Sequence, residues 1–224
     1  IRNRTRGALS CPLIVRAPYG SGVRALEEHS ESTEALYVHS PGLNVVIPST
    51  PYDAKGLLTT ALKCNDPVIF LEPMRLYRAS KEEVPDEEYE IPFGQARVVK
   101  EGKDVTIVAW GAMVKQCIQA SEELAGTPDC EIIDLRTLQP YDEKTVRASV
   151  EKTGRLLIVH EAHLTCGFGA EIAARVAEKN FLNMQAPIKR VTGYDVPVPY
   201  AKLEDYYTPD ANKIKKALNE LMQF

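Results

Sequence analysis

His29 is the residue in this chain whose type and setting most readily suggest chemistry. It lies in a polar stretch, Glu27-Glu28-His29-Ser30-Glu31-Ser32, that follows an apolar run (LIV) and a Pro-Tyr-Gly-Ser-Gly turn at 18–22 and precedes a helical pattern. Imidazole, with an ordinary pKa of about 6.5, can give or take a proton near neutrality. In open α/β sheets, ligands sit beyond the carboxyl ends of the strands, so a histidine just past a strand is well placed for proton transfer. A surface histidine that only decorates its loop has the same local pattern, and the residues alone leave both readings open.

Three other groups invite a chemical reading. His160-Glu161-Ala162-His163 resembles the start of a zinc helix, but its histidines are three apart instead of four and follow a strand, so a zinc site is not expected. Glu161 and His163 are expected to line a cleft or a subunit contact. Arg136 closes a buried apolar run, where a guanidinium is rarely left unpaired, and it is read as half of a structural ion pair. Gly167-Phe168-Gly169 lacks the spacing of a dinucleotide fingerprint and is read as a tight turn.

These residues need a scaffold, and the hydropathy pattern provides one. Strands are expected at 13–17 (LIVRA), 44–49 (NVVIPS) and 67–72 (PVIFLE), with helices at 33–39 and 52–64 between them. Residues 78–89 turn charged and aperiodic and read as part of a linker. A second unit follows, with strands at 104–110, 130–135, 155–159 and 188–192 and helices at 113–125, 142–152, 170–179 and 210–222. Near-continuous apolar strands alternating with helices imply α/β architecture with parallel sheets. The first unit has only three strands and two helices, so its sheet should have an unprotected edge. Residues before Ile1, or a partner, are expected to complete it. The edge and the Pro-rich traverse at 196–207 are expected to be buried against other subunits.

Composition narrows the function. The 224 residues carry a net charge of −4, and the one basic cluster is Arg2, Arg4 and Arg6, so nucleic acid is not an expected partner. No stretch is apolar and long enough for a membrane span. The five cysteines form no CxxC pair, which suits a reducing compartment.

Several segments together carry a resemblance: PLIVRAPYGSGVRALEEHSES, PGLNVVIPSTPYDAKGLLTTAL, DPVIFLEPMRLYR, DVTIVAWG, DLRTLQPYD, KTGRLLIVHEA and APIKRVTGYDVPVPY. In this collinear order the chain resembles, end to end, the β subunit of the thiamine-diphosphate-dependent 2-oxo acid dehydrogenase (decarboxylating) component. VAWG, HEA, FLN and APIKRV resemble the branched-chain 2-oxoisovalerate enzyme more than pyruvate dehydrogenase. The resemblance implies an α/β fold: a partial pyrimidine-binding thiamine-diphosphate domain with a parallel sheet at 1–80, a linker at 81–95, and a transketolase C-terminal-type α/β domain at 96–224.

The same resemblance implies oxidative decarboxylation of 2-oxo acids with acyl transfer to lipoyl. It implies an α subunit in a heterotetramer of two α and two β subunits, contact with a second β subunit, and a lipoyl-bearing acyltransferase core. His29 matches the active-site histidine of the family's H-S-x-S segment. The residues before it depart from the family's Leu-Tyr, being Glu27-Glu28, and add negative charge that would repel an anionic substrate. The family's cofactor-activating glutamate falls before Ile1, and diphosphate and magnesium are held mainly by the α subunit, so this chain alone is expected to be inactive. Some relatives bind potassium through backbone carbonyls at positions matching Leu13, Ala61, Cys64 and Asp66. The implied location is the mitochondrial matrix in a eukaryote or the cytoplasm in a prokaryote. Alternatives are a pyruvate dehydrogenase β subunit, a non-catalytic dimerisation and docking module, and a transketolase-like or deoxyxylulose-phosphate-synthase-like transferase.

Overall fold

The computed structural model describes residues 1–79 and 81–224. The first sheet is built from β1 (Ile14–Tyr19), β2 (Asn44–Val46) and β3 (Val68–Pro73), with α1 (Glu34–Val38) before β2 and α2 (Pro51–Lys63) after it. The second half runs β4 (Arg97–Lys100), β5 (Val105–Ala109), α3 (Met113–Glu123), β6 (Cys130–Asp134), β7 (Thr137–Gln139), α4 (Glu143–Thr153), β8 (Leu156–His163), α5 (Phe168–Asn180), β9 (Lys189–Gly193), α6 (Glu204–Tyr207) and α7 (Ala211–Leu221). Its sheet has the order β4-β6-β5-β8-β9, parallel except for the antiparallel β4. Every residue of β5 and β6 is buried, as expected of strands covered on both faces.

Local chemistry fixes the helices. Thr50 caps α2 by accepting the Asp53 N–H at 3.1 Å, and Pro51 occupies the first turn, where its missing N–H costs nothing. Asp142 caps α4 by accepting the Thr145 N–H at 3.0 Å, and the helix stops at Gly154 with φ +68°. Residues 81–95 form no helix or strand but run along α2. Tyr89 stacks on Tyr52 with ring centroids 4.5 Å apart, and Thr60 donates its hydroxyl to the Ile91 carbonyl at 2.7 Å.

The first sheet has the order β1-β3-β2-β7, so its fourth strand comes from the second half. Beyond Asp134 the chain reverses at Arg136, φ +59°, and β7 pairs antiparallel with β2, placing Val46 opposite Thr137. This strand was not expected from the sequence, because three residues are too few to show a period. β1 stays at the other edge, with Leu13 just before it 53% exposed and Val15 42% exposed. Two more expectations are corrected. β8 runs through His160 and Glu161 to His163 instead of ending at Val159, and Gly167-Phe168-Gly169 caps and begins α5 instead of forming a separate turn.

Apolar packing joins the halves. Tyr19, Val45, Ile47, Ile69 and Leu71 of the first sheet form one buried cluster with Val108, Trp110, Ile133, Leu138, Ile158 and Phe168. The opposite face of the second sheet packs Ile107, Ile132, Leu157 and Val159 against Ile214 and Leu218 of α7. A buried polar seam lies beside the first cluster. Arg136 donates to Asp53 Oδ1 at 3.2 Å and to the Gln95 carbonyl at 2.9 and 3.1 Å, and this is the structural ion pair expected of it. Asp134 accepts the Arg136 N–H at 3.1 Å and the Ser49 hydroxyl, and Arg97 approaches both carboxylates. Burial, reinforced by the charge of Asp53, pushes the Asp134 carboxyl up to about 7. Removing one partner of a buried pair strands the other charge, so Arg136→Ala is expected to lower stability by about 3–5 kcal/mol. Urea unfolding measures this, and a loss below about 1 kcal/mol, the scale of a surface pair, would contradict the role given to the clamp.

Candidate functional site

The carboxyl ends of β1, β5 and β8 converge beneath the segment 20–33, which links β1 to α1 and carries His29. The histidine is exposed, and its backbone N–H closes a tight turn onto the Glu27 carbonyl at 2.8 Å. Both ends of the segment are fastened to the second half. Ser21 donates its backbone N–H and its hydroxyl to Glu161 Oε2 of β8, at 2.8 and 3.0 Å, and its hydroxyl also meets that of Thr208 at 2.6 Å. The Gly22 N–H donates to Glu204 of α6. Further along, Glu31 accepts the Val198 N–H at 2.9 Å and lies 3.6 Å from His163, while Tyr200 donates to Glu27 at 3.1 Å.

Underneath is a nearly dry polar layer. Trp110, just past β5, donates its indole N–H to Glu34 Oε1 at 3.2 Å and stacks on His160 with centroids 5.1 Å apart. Glu34 is wholly buried, and burial pushes its carboxyl up to about 7, moderated by the bond from Trp110. Burial also lowers His160 to about 3 and raises Glu161, the latter opposed by the charge of Arg75 and the bonds from Ser21. Desolvation is the largest influence in each case and opposes the charged form; at Glu161 the Arg75 charge and the two Ser21 donors act against it and favour the carboxylate. Successive side chains of a strand point to opposite faces. His160 therefore lies against Trp110, Glu161 reaches Ser21, and His163 meets Glu31, an arrangement unlike the one-sided pair of a zinc helix.

The sequence singles out His29 as a candidate, and Glu161 and His163 as lining a cleft or a subunit contact; the structure places His29 exposed on this segment and Glu161 and His163 against it. Sequence reasoning missed Ser21, Glu34, Trp110 and Glu204, whose partners are far away in the chain. The positions matched to potassium are near one another at the start of the first sheet. The Val68 N–H donates to the Leu13 carbonyl at 2.8 Å, the Cys64 N–H to that of Ala61 at 3.1 Å, and Arg2 pairs with Asp66.

Comparison with known proteins assigns this architecture. Residues 1–80 match the family described as transketolase, pyrimidine binding domain, and residues 94–214 match transketolase, C-terminal domain. The chain is 50% identical over 223 residues to the pyruvate dehydrogenase E1 component subunit beta of Acholeplasma laidlawii, covering 99% of this chain and 68% of that protein. The chain belongs to the 2-oxo acid dehydrogenase E1 β-subunit family. Another member of this E1 β family, the mitochondrial 2-oxoisovalerate dehydrogenase subunit beta of Dictyostelium discoideum, is 49% identical over 227 residues, covering all of this chain and 61% of its own length. The E1 β fold is shared more widely. A split gene transketolase, described as an inactive beta4 tetramer, superposes with a TM-score of 0.76 at 24% identity, over 99% of this chain and 71% of that one. A transketolase mutant from Pichia stipitis gives 0.66 at 12% identity, over 96% of this chain and 31% of that one.

Trp110 is the only tryptophan and touches the buried carboxyl directly, so it should report on it. Tryptophan emission of the folded protein is expected to shift with a midpoint near pH 7, set by Glu34. The step should vanish in Glu34→Gln, whose amide oxygen still accepts the indole N–H. A flat response in the wild type from about pH 5 to about pH 9, a span wide enough to titrate such a group, would contradict the assigned environment.

Proposed function

We propose that this chain acts in the oxidative decarboxylation of 2-oxo acids with acyl transfer to a lipoyl group, and that His29 is its catalytic side chain. The supporting observation is the placement of His29: it is solvent-facing, beyond converging strand ends, on a segment fastened at both ends. Its imidazole would hold or donate a proton at the reacting carbonyl oxygen and during transfer to the lipoyl sulfur, the ordinary scope of a general acid or base. The departure to Glu27-Glu28 is compatible with this role, because Tyr200 draws the Glu27 carboxylate into a hydrogen bond.

Thiamine diphosphate is the cofactor the reading requires, and it supplies the carbon centre that attacks 2-oxo acids. The described residues do not by themselves fit it. The open apolar groove of 460 Å³ on the first sheet, lined by Pro48, Ala54, Leu58, Phe70 and Pro73, could receive a flat ring. Its one carboxylate, Glu72, is already bound by Arg16 at 2.5 Å and the Tyr77 hydroxyl at 2.6 Å, so no free carboxyl faces a pyrimidine there. The proposed holoenzyme is therefore a heterotetramer with an α subunit that brings diphosphate and magnesium contacts, and a lipoyl-bearing acyltransferase is the acceptor. The open edge of β1 and the exposed Val196, Tyr200, Leu203 and Tyr206 are its proposed subunit contacts. The carbonyls of Leu13 and Ala61, each with a second lone pair, together with Cys64 and Asp66, are the proposed seat for potassium.

For substrate, the proposed class is short aliphatic 2-oxo acids. The FLN and APIKRV segments favour a branched chain, and the identity to the Acholeplasma pyruvate dehydrogenase subunit favours pyruvate. In the assembled enzyme, His29→Ala is expected to slow acylation of lipoyl by at least about a hundredfold while leaving the fold intact. Comparing pyruvate with 2-oxoisovalerate in the same assay ranks the two substrates. Near-normal acylation in the variant would remove His29 from the reaction.

A further inference from the structure

The segment around His29 is strained, and the contacts that hold it run to the second half of the chain. Arg24, Leu26 and Glu28 all have positive φ, +59°, +69° and +66°, a region that disfavours side chains other than glycine. Such strain persists where the surroundings over-determine the conformation. Here those surroundings are carboxylates of the second half. Gly20 lies so close to Glu161 that an added Cβ would come within 2.9 Å of Oε2, and Gly22 lies over Arg75, whose Nε would be 2.5 Å from one. Glu161 takes both Ser21 donors and Glu204 takes the Gly22 N–H. Both glutamates are buried, as is Ser21, whereas residues 26–29 are exposed.

We propose that Glu161 is a positioning residue for the reaction: through Ser21 it fixes the entry of the His29 segment, and it acts on catalysis only through that histidine. Charged acceptors make the stronger hydrogen bonds, which accounts for a buried glutamate in this role in place of a glutamine. Glu204 is the companion brace one residue further on. The proposal rests on the reading of His29 as the catalytic group.

A double-mutant cycle in the holoenzyme, assembled with its α subunit and thiamine diphosphate, tests it. Glu161→Gln keeps one acceptor oxygen but loses the charge, and Ser21→Ala removes the hydroxyl from the other side of the same contact. Each is expected to lower kcat for lipoyl acylation, Glu161→Gln by about tenfold to about a hundredfold, with KM for the 2-oxo acid nearly unchanged, as small misplacements of a catalytic group do. Decarboxylation measured with an artificial oxidant should fall less. In a His29→Ala background, Glu161→Gln should cause no further loss. Amide exchange of segment 22–33 should quicken in both variants, with β5 unchanged. A multiplicative loss in the His29→Ala background would overturn the proposal, as would unchanged exchange of the segment. Full activity of His29→Ala with faster segment exchange in Glu161→Gln would instead overturn the reading of His29 while retaining the brace.

Discussion

The architecture depends on the crossing at Asp134-Leu135-Arg136. There the chain leaves the second sheet, reverses through a left-handed residue and lays three residues against the first. The Arg136 guanidinium, with its five donors in a fixed fork, binds Asp53 of α2 and the carbonyl of Gln95 together. One side chain thus holds the helix that covers the first sheet and the strap that runs along it. The Ile47 N–H donates to the Arg136 carbonyl at 2.9 Å, so the same residue also extends the sheet's ladder. A buried ion pair of this kind adds little net stability over apolar packing, but it sets register, since any slip leaves a charge without its partner.

That registration creates the site. Once the sheets are fixed, the end of β8 lies beneath the loop leaving β1, and Glu161 meets Ser21 where no local force would bring them together. The layer below, Glu34, Trp110 and His160, is polar yet dry, which makes its groups costly to leave charged and gives Glu34 a carboxyl that titrates near neutrality. The histidine itself stays in water. The arrangement separates the buried carboxylates that hold the segment from the exposed histidine it carries.

Much of this was legible in the sequence where the physics is local. The run Val105–Ala109, apolar but for Thr106, marks β5 as a buried strand without further context, and Asp142 marks the start of α4. β4 and β7 were not legible, being four and three residues long and paired only through tertiary placement. His29 stands out as a candidate by type and by its place after a strand. Its supports do not, because Ser21 and Glu161 are 140 residues apart, Gly22 and Glu204 are 182 apart, and Glu34 and Trp110 are 76 apart. The HEAH segment misled in an instructive way. Its composition suggests a segment following a strand, whereas the strand continues through it, with Trp110 covering His160 and Ser21 giving Glu161 Oε2 two donors.

The central claim is that the two sheets form one cooperative unit held at the Arg136 crossing. Native-state amide exchange tests it most directly, by comparing the opening free energies of Ile69 and Phe70 in β3 with those of Ile107 and Val108 in β5 as denaturant is raised. Convergence of all four on a single global opening is the expected result. Early, separate opening of β3 while β5 stays protected would show that the first sheet folds as its own unit and would contradict the account.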